Sequence, residues 1–246
     1  MRYRSAMLDS LILWTGAILL GGGVIVTPWR RTRRGGAIAA LCGALMMAVA
    51  LALPAREQHA TARTAMLDEW MPVWQFDEHH EIHIDAPPER VYDAIHKVRA
   101  SEIKLFKTLV DIRRGFRKGP ESILNPSNEK PLLDIATSTT FQWLTDVAPR
   151  EMVVGTCVSP HKGRIDFRHP PPGVALAAMN FVVTPDGNGG SNVSTETRVY
   201  ANDAKSLRAF KIYWRIIHPG SDIIRRMWLR AVKERAESQV AVRERT

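Results

Sequence analysis

Residues 177–200 read AAMNFVVTPDGNGGSNVSTETRVY, two alternating runs on either side of a glycine-rich turn. In the first run Ala177, Met179, Phe181 and Val183 alternate with Ala178, Asn180 and Val182, the period of two expected of a half-buried strand. In the second, Val193, Thr195, Thr197 and Val199 alternate with Ser194, Glu196, Arg198 and Tyr200. The PDGNGG segment from Pro185 tolerates positive φ, so the runs are expected to pair as an antiparallel hairpin. Setting Thr184 across from Asn192 brings Phe181 opposite Thr195, Met179 opposite Thr197 and Asn180 opposite Glu196. One face is then apolar, with Met179, Phe181, Val183, Val193 and Val199, and needs a cover; the other carries Asn180, Glu196 and Arg198.

The cover comes next in the chain. Leu207, Phe210, Trp214 and Ile217 fall at spacings of three and four, and Ile224, Trp228 and Ala231 continue the stripe past an expected break at Pro219. This is an amphipathic helix with its bulky residues on one side. Upstream, the run HHEIHI from His79 alternates as a strand, with His80, Ile82 and Ile84 on one face and His79, Glu81 and His83 on the other. Pro87 or Pro88 suits the first turn of a helix in which Val91, Ile95 and Val98 share a side. A second short helix is expected from Ser101 to Leu109, a loop over 115–131, and strands at 134–144, 151–158 and 164–167.

The amino-terminal quarter has a different composition. Residues 10–27 and 35–53 carry no charge, and each is close to the roughly 20 residues a helix needs to cross a bilayer. Two transmembrane helices are therefore expected, with Gly21, Gly22, Gly23, Ala37, Ala40, Gly43 and Ala44 permitting close approach. Four arginines, Arg30, Arg31, Arg33 and Arg34, occupy the turn between them. The positive-inside tendency places that turn in the cytoplasm of a bacterial inner membrane and the soluble domain outside it. The expected division is a hairpin over 1–56, a juxtamembrane linker over 57–76, a globular domain over 77–238 and a tail over 239–246. A net charge of +9 favours an anionic neighbour; beside two apolar spans that neighbour is membrane rather than nucleic acid, since no groove-reading motif is present. Cys42 and Cys157 lie in an apolar segment and an expected strand, and imply no disulfide framework.

Strand, short helices, antiparallel strands and a long terminal helix make an α+β arrangement in which a curved sheet grips one helix. Four segments, IHIDAPPERVYDAI, VRASEIKLF, AMNFVVTPDGNGGSNVSTETRVYANDA and YWRIIHPGSDIIRRMWLRAVKERAE, taken in that order, resemble the SRPBCC or START-like superfamily, which includes the birch-pollen-allergen-like proteins and the polyketide cyclase/dehydrase group. The resemblance covers about Asp77 to Glu237. It implies a helix-grip fold with a hollow between sheet and carboxy-terminal helix that takes a small hydrophobic or lipid-like molecule. Family members include binders, carriers and enzymes, so the residues must choose among them.

The polar set Asn180, Glu196 and Arg198 could orient a ligand's polar end or move a proton if it faces inward, and is a solvated cross-strand group if it faces outward. Phe210 and Trp214 are expected as core, and in this fold core and pocket wall coincide. Arg99 and Glu102 could shape a pocket mouth or pair locally. His79 and His83 on one strand would stand roughly 13 Å apart, too far to share an ion, so no metal is expected. No dinucleotide, phosphate-loop or Ser-His-Asp signature calls for a cofactor. The leading expectation is a membrane-anchored binder of a hydrophobic molecule. Its rivals are a polyketide cyclase/dehydrase-like enzyme and a structural membrane protein with a partner-binding domain.

Overall fold

The computed structural model describes residues 4–61, 64–159 and 164–243. The chain divides into two compact units, Met1–Arg56 with Arg208–Pro219, and Glu57–Leu207 with Gly220–Thr246.

The first unit is built on two helices, α1 (Arg4–Val26) and α2 (Arg33–Ala52), both long and apolar enough to cross a membrane by length and composition. Glycines set their approach. A Cβ on Gly23 would fall 2.4 Å from the Ala40 nitrogen, and one on Gly43 would fall 2.4 Å from the Leu20 nitrogen. Residues 208–219 complete this unit as part of a longer helix, α7 (Ala204–Arg243). There the Arg215 guanidinium donates to the Asp9 carboxylate at 2.9 Å and to the Leu53 carbonyl at 2.8 Å, and the Trp14 indole donates to the Ile216 carbonyl at 3.3 Å.

The second unit is α+β. Its sheet has five strands, β3 (Phe76–Ile84), β4 (Gln142–Val147), β5 (Glu151–Ser159), β6 (Ala175–Pro185) and β7 (Ser191–Ala201), in the antiparallel order β3-β7-β6-β5-β4. The β6–β7 register pairs Thr184 with Asn192, Val183 with Val193 and Met179 with Thr197, as the alternation predicted. The inner face packs on α4 (Pro88–Lys97), α5 (Phe106–Arg113), α6 (Leu132–Thr139) and the later part of α7. Met152, Val154, Met179, Phe181, Val183 and Val193 of the sheet join Ile95, Leu132, Trp228 and Val232 in one buried cluster. The outer face is covered too. Leu67, Met71 and Trp74 from the first segment of this unit pack with Val153, Cys157, Phe167, Leu176 and Ala178. That segment carries a short helix, α3 (Leu67–Trp70), and a two-stranded sheet of β1 (Gln58–His59) and β2 (Val73–Trp74).

Four local expectations are corrected. Residues 132–139 are a helix, not the start of a strand: Leu132, Leu133, Ile135 and Ala136 are buried at helical spacing, and the Thr137 and Thr139 hydroxyls fold back onto the Leu133 and Ile135 carbonyls at 2.8 and 2.6 Å. The helix expected from Ser101 begins at Phe106 instead, where Phe106 and Val110, four apart, are both buried. Residues 164–167 form no strand; Phe167 turns its ring onto Gly155, where a Cβ would lie 2.5 Å from it. Finally, α7 runs through Pro219 and on to Arg243, so the expected tail is helical up to that point, and 244–246 lie outside the described residues.

Candidate functional site

Alternation places Asn180, Glu196 and Arg198 on the outer face, away from α7, yet they are not solvated. Arg198 is 6% exposed and Asn180 3%. The guanidinium grips Glu196 with two hydrogen bonds, 2.7 and 3.1 Å, and reaches Asp68 at 2.7 Å and the Met71 carbonyl at 3.1 Å, while lying 3.8 Å over the Trp74 ring. Burial works to lower the Arg198 pKa, but the Glu196 and Asp68 carboxylates outweigh it and hold the group above its ordinary value. Burial likewise works to raise Asp68, and the Ala65 and Thr64 amides with Arg198 bring its carboxyl below the usual range.

Asn180 completes the arrangement. Its amide donates to Glu151 at 2.8 Å, its oxygen accepts the Glu196 backbone N–H at 2.9 Å, and Glu151 accepts the Met66 and Leu67 N–H groups at 2.8 and 3.2 Å. These residues fasten segment 64–71 to the back of the sheet. The charged and amide groups of this network are paired with one another or with backbone, which is the pattern of a structural network rather than a ligand site, although the buried Trp74 Nε1 beside them has no partner among the described residues.

The inner face holds a second polar group that sequence reasoning passed over. Because β3 pairs Glu78 with Thr197 and His80 with Thr195, and β6 sets Met179 beside Thr197, these side chains share the face that receives α7. Glu78 and His80 are 4% and 8% exposed, and the Glu78 carboxylate meets His80 Nε2 at 3.0 Å. From α7, Asp222 stands 3.6 Å from the same His80 nitrogen and is gripped by Arg226, and Arg225 directs its guanidinium onto the Met179 sulfur and over the Trp228 ring. Burial drops the Arg225 pKa to about 10, against the opposing pull of the Glu78 charge.

Within this patch the hydrogen bonding is incomplete. Glu78 Oε2, Thr197 Oγ1 and Trp228 Nε1 are buried and find no hydrogen-bond partner among the described residues. They offer one anionic acceptor, one hydroxyl and one N–H donor, set against the apolar surface of Met179, Phe181 and Trp228. The signal was in the sequence: Glu78 has the parity of His80, Ile82 and Ile84, so the face of one fixes the face of the other.

The remaining expected residues separate. Phe210 and Trp214 stack at 5.8 Å with Tyr213 against the edge of Phe210 and His218 beside Trp214, all within the unit of α1 and α2. The tryptophan covering the sheet is Trp228, three stripe positions beyond Trp214. The Arg99 backbone N–H donates to Glu102 at 3.1 Å, and Glu102 forms a fork with Arg235 at 3.0 and 3.1 Å. Glu102, Ala231, Glu234, Arg235 and Ser238 line an open surface groove of about 330 Å³. At the β4 edge the Tyr92 hydroxyl donates to Asp146, His96 lies 3.5 Å from that carboxylate, and burial with the nearby charge pushes the phenol pKa up. Among the described residues no group of three or more His, Cys, Asp or Glu gathers in a way that could hold a metal ion.

No family model matches the chain, and no curated protein matches it. Solved structures do. Protein MLL2253 from Mesorhizobium loti is 11% identical over 66% of this chain and 98% of its own, with a TM-score of 0.35. A conserved protein from Geobacillus kaustophilus is 10% identical over 66% of this chain and 96% of its own, with a TM-score of 0.35. The di-domain ARO/CYC BexL from the BE-7585A biosynthetic pathway is 11% identical over 85% of this chain and 59% of its own, with a TM-score of 0.32.

Proposed function

We propose that this chain is a membrane-anchored holder of a small hydrophobic or lipid-like molecule, whose polar end is received on the inner face of the sheet by Glu78, Thr197 and Trp228. The observation that carries the reading is the set of buried polar atoms left without partners beside Arg225. A buried polar group without a hydrogen bond costs about 1–3 kcal/mol, so a cluster of them is kept at a loss unless something completes it. A hydroxyl does so best, donating to Glu78 Oε2 while accepting from Thr197 or Trp228. A carboxylate would meet the Glu78 charge. Beneath the middle of α7, Phe181 and Trp228 already fill the interior, so the ligand belongs at the Glu78 end. The apolar helices α1 and α2 supply the anchor.

The polyketide cyclase/dehydrase-like reading survives in altered form. Glu196 and Asn180 face away from the inner side, and the proton-moving groups would be Glu78 and His80, with Asp222 behind them. Native mass spectrometry of the full chain released from detergent tests the proposal, with farnesol and palmitate as probes. Farnesol is expected to be retained in preference to palmitate, and Glu78→Gln to lower its occupancy. Uptake of neither probe by the unaltered chain, or equal uptake by Glu78→Gln, refutes it. Conversion of a bound polyketide-like probe, lost in His80→Gln, would support the enzyme instead.

A further inference from the structure

We propose that residues 104–118, α5 with the turns at its two ends, are a contact surface for an anionic phospholipid bilayer. The sequence KLFKTLVDIRRGFRK holds six basic residues against one acidic residue, Asp111. One side of α5 is spent on the core through Phe106 and Val110. What remains outside is apolar as well as basic: Phe116 is 74% exposed, and Leu105 and Ile112 are each 57% exposed.

The backbone holds these side chains out. At the end of α5 the Phe116 N–H bonds the Asp111 carbonyl at 2.8 Å and the Gly115 N–H bonds the Ile112 carbonyl at 2.9 Å, the paired closure that ends many helices around a left-handed glycine. In that closure the residue after the glycine commonly folds its apolar side chain back onto the helix. Here Phe116 itself has φ +58 and its ring stands in solvent. Leu105, at the other end, has φ +61. Positive φ is unfavourable for a residue with a side chain, and two such residues presenting exposed apolar groups beside Lys107, Arg117 and Lys118 are costly unless the surface is used. The mixture suits an anionic headgroup layer, in which an aromatic ring and aliphatic tips enter while the cations stay among the phosphates. Ion pairs within the unit engage Arg114, which Asp111 takes at 2.5 Å, and Lys104, which Glu234 takes at 3.5 Å; the proposal rests on Lys107, Arg117 and Lys118. The inference rests on the membrane-anchored reading above for its choice of lipid over a protein partner.

The test uses the full chain in nanodiscs, with benzoylphenylalanine in place of Phe116 and, as a control, in place of Val147, which is 38% exposed at the end of β4. Irradiation in phosphatidylglycerol–phosphatidylcholine discs is expected to give a lipid adduct at position 116 and little at 147. The yield should fall by roughly tenfold when Arg117 and Lys118 are both changed to glutamate, or when phosphatidylglycerol is left out. Cross-links from 116 to protein only, whether a second copy or a captured partner, overturn the proposal, as does a yield indifferent to headgroup charge or equalled at 147. A chain that fails to stay with the disc refutes the anchor instead. The same adduct is then sought on vesicles of that composition, where its absence refutes the lipid contact.

Discussion

Thr197→Val is the sharpest perturbation of the inner face, because it exchanges a hydroxyl for a methyl at almost constant shape. The Thr197 oxygen is buried and has no hydrogen-bond partner among the described residues, in the middle of β7 opposite Glu78 and Met179. Folding strips water from that hydroxyl and returns nothing, a loss of about 1–3 kcal/mol that valine does not incur. Valine also suits a strand interior. The variant should therefore be more stable by about 1–3 kcal/mol, equivalent to a slowing of roughly 5- to 150-fold in the exchange of amides that open only by global unfolding. Native-state hydrogen exchange of the full chain in detergent reads this directly from the slowest amides of β3, β6 and β7. The same variant should hold farnesol less well. Faster exchange in Thr197→Val would refute the reasoning, since it would mean that the hydroxyl already has a partner and that the patch is complete without a ligand.

The outer face should respond with the opposite sign. Arg198→Met removes the cation that pairs with both Asp68 and Glu196 and leaves those two carboxylates without it, which costs about 3–5 kcal/mol when one member of a buried pair is lost. Exchange of the Met66 and Leu67 amides, now held by Glu151, should rise by two to three orders of magnitude; unchanged protection there would show that the network does not hold the segment. In the helical hairpin, Gly43→Val should separate α1 from α2, since a Cβ would sit 2.4 and 2.5 Å from the Leu20 nitrogen and the Gly16 oxygen, both backbone atoms that cannot swing aside. The separation of spin labels placed on α1 and α2, read by double electron–electron resonance, should increase in the variant; an unchanged separation would refute the close packing.

How much of this was legible in the sequence depended on the distance over which each contact acts. The β6–β7 hairpin could be read to the residue, because alternation and a turn rich in glycine are local signals and the register follows from them. Residues 132–139 misled because threonine and isoleucine suit strands, while the decisive fact, burial of Leu132, Leu133, Ile135 and Ala136 on one side, is tertiary. The outer network was half readable. Parity put Asn180, Glu196 and Arg198 on one face, but their partners Asp68, Met71 and Trp74 lie more than a hundred residues from Arg198 in the chain, and the apolar spacing of Met66, Leu67, Trp70 and Trp74 suits packing on the domain and a place in the membrane interface equally well. The stripe in α7 was visible in full, yet its division was not: spacing cannot say that Trp228 covers the sheet while Phe210 and Trp214 belong with α1 and α2.

The two faces of one sheet thus carry two polar groups of similar make-up, carboxylates with arginine in each and a buried tryptophan N–H left over in each, and the pairing of the charged groups separates them. On the outer face Arg198 meets Glu196, Asp68 and a carbonyl, and Asn180 uses both ends of its amide. On the inner face burial lowers the basicity of Arg225, the Glu78 charge opposes that loss, and Glu78 keeps one oxygen unbonded among the described residues. A fold under pressure for stability alone would have replaced Glu78, Thr197 and Arg225 with apolar side chains of like volume, an exchange that is commonly neutral or favourable for buried ionic groups. Their retention is explained if the free state is not the working state. On that ground the unexplained cost lies at the Glu78 end of the inner face, and stabilising substitutions there should be the ones that abolish binding.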